Sequence, residues 1–467
     1  MRAQGRLTLT ATVLVALTGL SLAAPSHAAT YRIPGTIPSS CSVDVTQPIL
    51  SWIASVPDNS TLSFGNGACY RVDGILELTN RNGLSFEGNG ATFRAFTPGD
   101  PQRAHWRLIG GSNLSLRNMT IRGAHPNPGT HVAQLQWQHG IDLRGARSVV
   151  VDHVNIVNPY GDCIYVGRAW NASSPWTKDV HIRDSSCAGA GRQGIAVTAG
   201  RDVVANRINL TRIALNVFNI EPNGTGSGAA NVSFRNSQVS APFGDSFAAV
   251  IGSGPVNGVT IADNTLRGKG MYMALLAPVG ERRSKIAITG NSSNRGYYAA
   301  GSAALDFERI DGLTVRGNTI PLSGPNMALA SASRSCNVNI SGNHFPGGVV
   351  QARVSPYSCL ERTSTSTTLR VRRAAKASSR RDSGARRARG RVMGSRSGRA
   401  VIRLDRFKRA TRRWVNVRTL KPRLSHRGRF ATRLRGLEHG RWRARAKFRG
   451  TRQRAPSRSA FRYFRVR

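Results

Sequence analysis

Acidic residues are scarce in this chain of 467 residues: 23 Asp+Glu stand against 67 Lys+Arg, a formal charge of +44. Aromatic residues make up only 7%, and no Cys-x-x-Cys or Cys/His pair has the spacing of a zinc site. After Ala24 no stretch is long and apolar enough to span a bilayer. A helical bundle would carry fewer than the 49 Gly found here, and more Leu, Glu and Lys. These absences exclude a zinc module, a polytopic membrane protein and an all-helical fold. Hydrophobic residues at 40% and charged residues at 19% also exclude disorder of the whole chain. What remains is an extended β architecture, in a chain long enough for two or three folded units.

The positive charge is concentrated at one end. Arg362 to Arg467 carries 37 Lys+Arg, only four of them Lys, against three acids, Asp382, Asp405 and Glu438. Two regions with such different electrostatics are not expected to share one task. At the other end, Arg2 and Arg6 precede an apolar stretch from Leu7 to Ala24, and Ser26-His27-Ala28 offers small residues before a cleavage point. Residues 1–28 are therefore expected to be a secretory signal peptide, with an uncleaved anchor as the alternative. The mature chain is expected to be secreted, in part associated with the cell wall. In an oxidising compartment the six cysteines read as disulfides. Sequence leaves their connectivity open; nearest neighbours give Cys41–Cys69, Cys163–Cys187 and Cys336–Cys359.

Self-comparison shows a short phrase repeated along the chain. It reads NGLSFEGNGA from Asn82, SNLSLRNMTI from Ser112, RSVVVDHVNI from Arg147 and DGLTVRGNTI from Asp311, with further copies at Lys178, Arg201, Ala230, Asn257, Ser284 and Cys336. Alternation such as Val259/Ile261 turns one residue in two toward an interior. A unit this small cannot bury its own apolar side, so successive coils must stack in parallel. The turn of each phrase calls for a left-handed residue, which Asn and Gly tolerate best. Asn264, Asn291, Asn318 and Asn343 hold equivalent places, where stacked amides would form a ladder.

These phrases resemble the right-handed parallel β-helix superfamily, the pectin-lyase-like proteins, over roughly Thr30 to Leu360. The resemblance implies an all-β chain: a right-handed parallel β-helix over residues 29–361, with an amphipathic helix near Pro48 to Ile53 covering the open first coil. Beyond a basic linker over 362–390, short alternating runs over 391–467 suggest a small antiparallel Ig-like β-sandwich.

A second strand in each coil gives a column of polar residues. Aligning His139 to Leu143, Asp162 to Val166, Gln193 to Val197 and Asn216 to Glu221 places His139, Asp162, Gln193 and Asn216 one above another. Asp142, Tyr165, Ala196 and Asn219 are expected to face outward, flanked by Arg192 and Glu221. Gly161 to Val166 resembles the Asp-Asp-Cys-Ile strand of polygalacturonase-type glycoside hydrolases, which invert with one carboxylic acid and water-activating carboxylates. Asp162 keeps its carboxylate, whereas Gly161, His139 and Gln193 stand where that family has Asp, Asp and His. Three readings follow. A hydrolase would use Asp162 as acid with Asp142 or Glu221 as base. A lyase or epimerase of uronic acids would use His139 as base, with Arg192 neutralising the carboxylate. A non-catalytic binder would use the column only to hydrogen-bond sugar hydroxyls. The expected function is cleavage or modification of an anionic, uronic-acid-type polysaccharide, with Arg192, Gln193, Tyr165, Asn216 and Asn219 binding it; a non-catalytic surface or adhesion protein on the same scaffold is the alternative. Asp, Asn and His also serve as plain turn residues at solenoid corners. No cofactor or metal site is expected; calcium would suit a lyase, but no tight acidic cluster offers it a place.

The arginine-rich end is expected to seek anions: cell-wall teichoic acids, acidic polysaccharides or anionic lipid head groups. Nucleic acid is the disfavoured partner, since no recognition motif accompanies the arginines. A soluble face built from Arg in place of Lys is the plain alternative.

Overall fold

The computed structural model describes residues 29–467 except 172, 225, 245, 269–272, 277–282, 296–302, 322–327, 346–351, 357–365, 374–385, 394–398, 409, 450–456 and 467. The proposed signal segment, residues 1–28, lies outside the described residues. No helix among the described residues is long and apolar enough to cross a membrane. The chain divides into two compact units, Met1–Tyr357 and Ser358–Arg467.

The first unit is a parallel β-solenoid of about ten turns. The repeated phrase lies in one ladder. Phe86 pairs with Leu116, then Val151, Ile182, Ala205, Phe234, Ile261, Ile288, Val315 and Ile340 follow in strict succession. These side chains are buried and stack along the solenoid interior, with the exception of the last, Ile340, which is partly buried. A second ladder carries Ile141, Ile164, Ile195, Phe218 and Ala248 in register. The helix Thr46–Ser55 buries Ile49, Trp52 and Ile53, and Trp52 meets Phe64 edge-on at 5.2 Å. Asp44 accepts the Thr46 N–H at 3.0 Å, satisfying a helix-end donor. This helix covers the first coil's apolar end.

The turn chemistry differs in one detail from expectation. The amide ladder forms: Asn264 donates to Asn291, Asn291 to Asn318 and Asn318 to Asn343, each at 2.9 Å. The left-handed residue, however, is the one before each ladder Asn: Asp263 (φ 56°), Gly290 (φ 64°), Gly317 (φ 65°) and Gly342 (φ 59°). The reversal there turns the following amide inward, where its oxygen also takes the backbone N–H of the preceding coil.

Two of the expected disulfides are present, Cys41–Cys69 and Cys163–Cys187. The third falls on Cys359, outside the described residues.

The second unit has two antiparallel sheets that fit a small β-sandwich. One joins Ser366–Arg373, Arg386–Met393 and Arg429–Leu434; the other is built on Ala400–Lys408, Arg413–Leu420, Gly440–Phe448, Ser457–Arg458 and Arg462–Val466. Leu369, Ala388, Val392, Ile402, Leu404, Phe430, Trp442 and Phe448 form its core. The linker expected over 362–390 is corrected accordingly, because it contains sheet strands. Leu369/Val371 and Ala388/Val392 alternate with arginines, a period-two pattern that the arginine density disguises.

Candidate functional site: a cleft above a buried polar column

Register brings the four column residues together. The pairings that align Ile141, Ile164, Ile195 and Phe218 put His139, Asp162, Gln193 and Asn216 two residues upstream in each coil. Two residues before an inward side chain is again an inward place. The column is accordingly buried, His139 and Asp162 completely. His139 Nδ1 accepts the Asp162 N–H at 3.1 Å, and Asp162 Oδ1 accepts the Gln193 N–H at 2.9 Å. Gln193 Oε1 then accepts the Asn216 N–H at 2.7 Å, and Asn216 Oδ1 accepts the Ser246 hydroxyl at 2.5 Å. The expected outer wall is therefore corrected to a corner ladder, each side chain engaging the next coil.

Of the residues expected to face outward, Asp142, Ala196 and Asn219 are covered, while Tyr165, largely buried, lines an open cleft. Asp142 is fully buried, held by Arg107 Nε at 2.9 Å and Arg144 Nε at 2.8 Å. Above this cluster lies Trp170, its ring 3.8 Å from the Arg144 guanidinium, while Tyr165 flanks the same guanidinium at 5.0 Å. Tyr165 stacks face to face on His139 at 4.8 Å and accepts the Thr198 hydroxyl at 2.8 Å. Gly167 makes room for that ring, since a Cβ there would lie 2.4 Å from it. Ala196 and Asn219 are likewise buried, and the Asn219 amide donates to Glu221 at 3.1 Å.

Arg192 ties the ladder to the surface. Its guanidinium donates to Asp162 Oδ2 at 3.0 Å and to Glu221 Oε2 at 3.1 Å. Of the four candidate catalytic residues, Glu221 alone lines an open space, with 22% of its side chain exposed. That space is a cleft of about 320 Å³ walled by Trp137, Arg144, Arg168, Trp170, Arg192 and Glu221. Trp137 and Trp170 are 37% and 62% exposed.

Burial dominates the electrostatics beneath. It raises the Asp162 carboxyl to about 6, against the opposing pull of Arg192. Burial, then Arg192, Arg144 and Arg107, holds the His139 imidazole well below its ordinary range, so the ring stays neutral. With Nδ1 engaged as an acceptor and Nε2 buried, His139 has no route to a substrate proton. The base role expected for it is corrected for that reason. Asp142, saturated by two guanidiniums, is not placed to activate water.

Gly161, where the polygalacturonase-type strand has Asp, offers no room for a side chain. A Cβ there would lie 2.6 Å from the Gln136 carbonyl and 2.9 Å from His139 Nδ1. The long segment between Arg122 and Ile141 occupies that place and delivers Trp137.

Trp137, Arg144, Arg168 and Trp170 were not singled out from sequence. The signal available was two Trp residues, each in an insertion next to a column strand. Among the described residues, Asp152, His153 and Asp184 are close enough to share a cation. Asp152 already pairs with Arg117 and Arg183, and Asp184 with Arg207, so the cluster is neutralised by arginine.

No protein-family model matches the chain, and no curated protein sequence does. Solved structures that it resembles include an exopolygalacturonase from Thermotoga maritima, at 9% identity and TM-score 0.44 over 68% of this chain and 92% of that one. A tailspike protein of an Acinetobacter baumannii bacteriophage, a capsular polysaccharide depolymerase, matches at 9% identity and TM-score 0.46, covering 94% of this chain and 78% of that one. The A-module of an Azotobacter vinelandii mannuronan C-5 epimerase matches at 16% identity and TM-score 0.33, over 70% and 100%. At these identities and scores none of them decides what this chain does.

Proposed function

We propose that the protein binds an anionic polysaccharide outside the cell, with one charged sugar residue seated in the Trp137–Trp170 cleft. The observation that carries this is the lining: three guanidiniums, from Arg144, Arg168 and Arg192, and two exposed indoles around a space the size of one or two sugar rings. A uronic acid has the matching halves, an apolar ring face for indole and a carboxylate for guanidinium. Two disulfides in the solenoid support an oxidising compartment. Calorimetric titration with galacturonate, mannuronate and neutral glucose oligomers tests the reading. Binding is expected for a charged series alone, and Trp170→Ala should weaken it roughly tenfold, the equivalent of about 1.4 kcal/mol. Equal affinity for neutral oligomers, or none for any charged one, overturns it.

A second reading rests on a separate observation: Glu221 is reachable, and Asp162, bonded to the same guanidinium, has a carboxyl raised to about 6. Hydrolysis would then use this pair, with Arg192 displaced by substrate. Reducing-end and unsaturated-product assays on the same polymers separate hydrolase from lyase. Product formed by wild type and lost in Glu221→Gln supports catalysis; no product on any polymer leaves the binder.

A further inference from the structure

The arginine-rich unit holds a cleft of its own. It measures about 830 Å³ and is lined by Arg406, Phe407, Lys408, His439, Arg441 and Arg465. Few acids oppose these cations. Asp405 is engaged by Arg403 and Arg443, and Glu438 by Arg406. Among the described residues Lys408, Arg441 and Arg465 have no carboxylate partner.

Arg441 and Arg465 also face each other directly across neighbouring antiparallel strands. Like charges so placed repel, and an anion between them removes the penalty. Opposed arginines recur in this unit, as at Arg370 and Arg389, but the Arg441–Arg465 pair opens on a cavity. The same two residues wall a smaller hollow of about 270 Å³ with Trp414 and Tyr463.

We propose that Arg441 and Arg465 clamp a phosphate group, and that the cleft takes a phosphodiester-linked polymer of polyol or sugar units. A phosphodiester fits because its two non-bridging oxygens share one charge on tetrahedral phosphorus and can each accept from a different guanidinium, and because that charge lies in the polymer backbone, where successive groups meet successive cations, whereas a uronate carboxylate is pendant from its ring. The volume far exceeds one phosphate, and Lys408 continues the positive lining for the next. A single nucleic acid strand fits less well. It would stack successive bases on open rings, and most rings on this face are already covered by guanidinium. Arg441 lies over Phe407 at 5.3 Å, Arg443 over Trp414 at 4.9 Å, and Arg443 and Arg445 over Phe461 at 4.2 and 4.3 Å. Tyr463, 64% exposed, is left as a shelf for one ring. This site is independent of the solenoid cleft and of its carboxylate ligand.

The test is calorimetric titration of the full chain with a glycerol-phosphate oligomer, inorganic tripolyphosphate, oligogalacturonate of equal charge and an oligothymidylate. The glycerol-phosphate oligomer is expected to bind most tightly. Arg441→Gln/Arg465→Gln should weaken it roughly tenfold or more, as expected for lost charge-assisted bonds, and should melt no lower than wild type, since a repulsion has gone. Arg370→Gln/Arg389→Gln removes an equal charge from another opposed pair and should change affinity by less than about twofold. Arg441→Lys/Arg465→Lys keeps the charge without the fork and should lose the preference for phosphate over galacturonate. Equal losses in both Gln pairs, or tightest binding of oligothymidylate, overturns the proposal.

Discussion

The Asp162 carboxyl gives the sharpest test of the buried column. It lies in the ladder with no exposed surface, yet contacts Arg192 at 3.0 Å and the Gln193 N–H at 2.9 Å. Burial wins, lifting it from 3.8 to about 6. The folded chain thus keeps this proton over a range where the unfolded chain has released it. Stability contributed by the group is complete below pH 4 and is lost as pH rises toward 6. At roughly 1.4 kcal/mol for each pH interval of one, the loss is about 3 kcal/mol. Asp162→Asn removes the titration while leaving an oxygen for the Gln193 N–H. Urea unfolding of wild type and variant, followed from pH 4 to 7, should therefore diverge, the wild type losing about 3 kcal/mol more. Difference infrared spectra should show a protonated carboxyl band in the wild type that disappears near pH 6. Identical pH slopes, with no such band, would refute the claim that desolvation outweighs Arg192.

The remaining expectations bear on both corners of the solenoid and on the cleft. Asn291→Ala takes the acceptor from the Asn264 N–H and amide and breaks the bond to Asn318, and should cost about 3 kcal/mol in unfolding experiments. Cys163→Ser, opening a loop of 24 residues, should cost about 3 kcal/mol by the same measurement, and reductant should add nothing further at this site. Trp170→Ala, at an exposed position, should shift stability by less than about 1 kcal/mol while removing most glycan affinity, so that loss of binding is not loss of fold.

Sequence carried the solenoid well because its signal is repetition. Ten copies of one phrase fix a ladder, and pairing places Phe86 through Ile340 in the aligned order. The column was legible for the same reason: His139, Asp162, Gln193 and Asn216 share one place relative to the paired strands. Its orientation was readable too, by counting. Each residue lies two before an inward Ile or Phe, so it shares their side of the strand. The cleft was not legible, because Trp137 and Trp170 come from insertions that obey no repeat and reach the site only through the fold.

The two corners show one structural demand met by different side chains. A solenoid must satisfy, coil by coil, the backbone donors its turns leave unpaired. At one corner Asn264, Asn291, Asn318 and Asn343 do this with side-chain oxygens. At the other, His139, Asp162, Gln193 and Asn216 do the same with whatever acceptor each side chain offers. Asp, His and Asn are thus selected for lone pairs at fixed height, a requirement that catalysis also imposes on such places. What distinguishes the two uses is access. A residue that acts on substrate must keep a polar atom at the surface; of the candidate residues named from the sequence, Tyr165, Arg192 and Glu221 line the cleft, the last two joined at 3.1 Å. Variants of the ladder beneath should therefore change the stability of the coil before they change what the cleft binds.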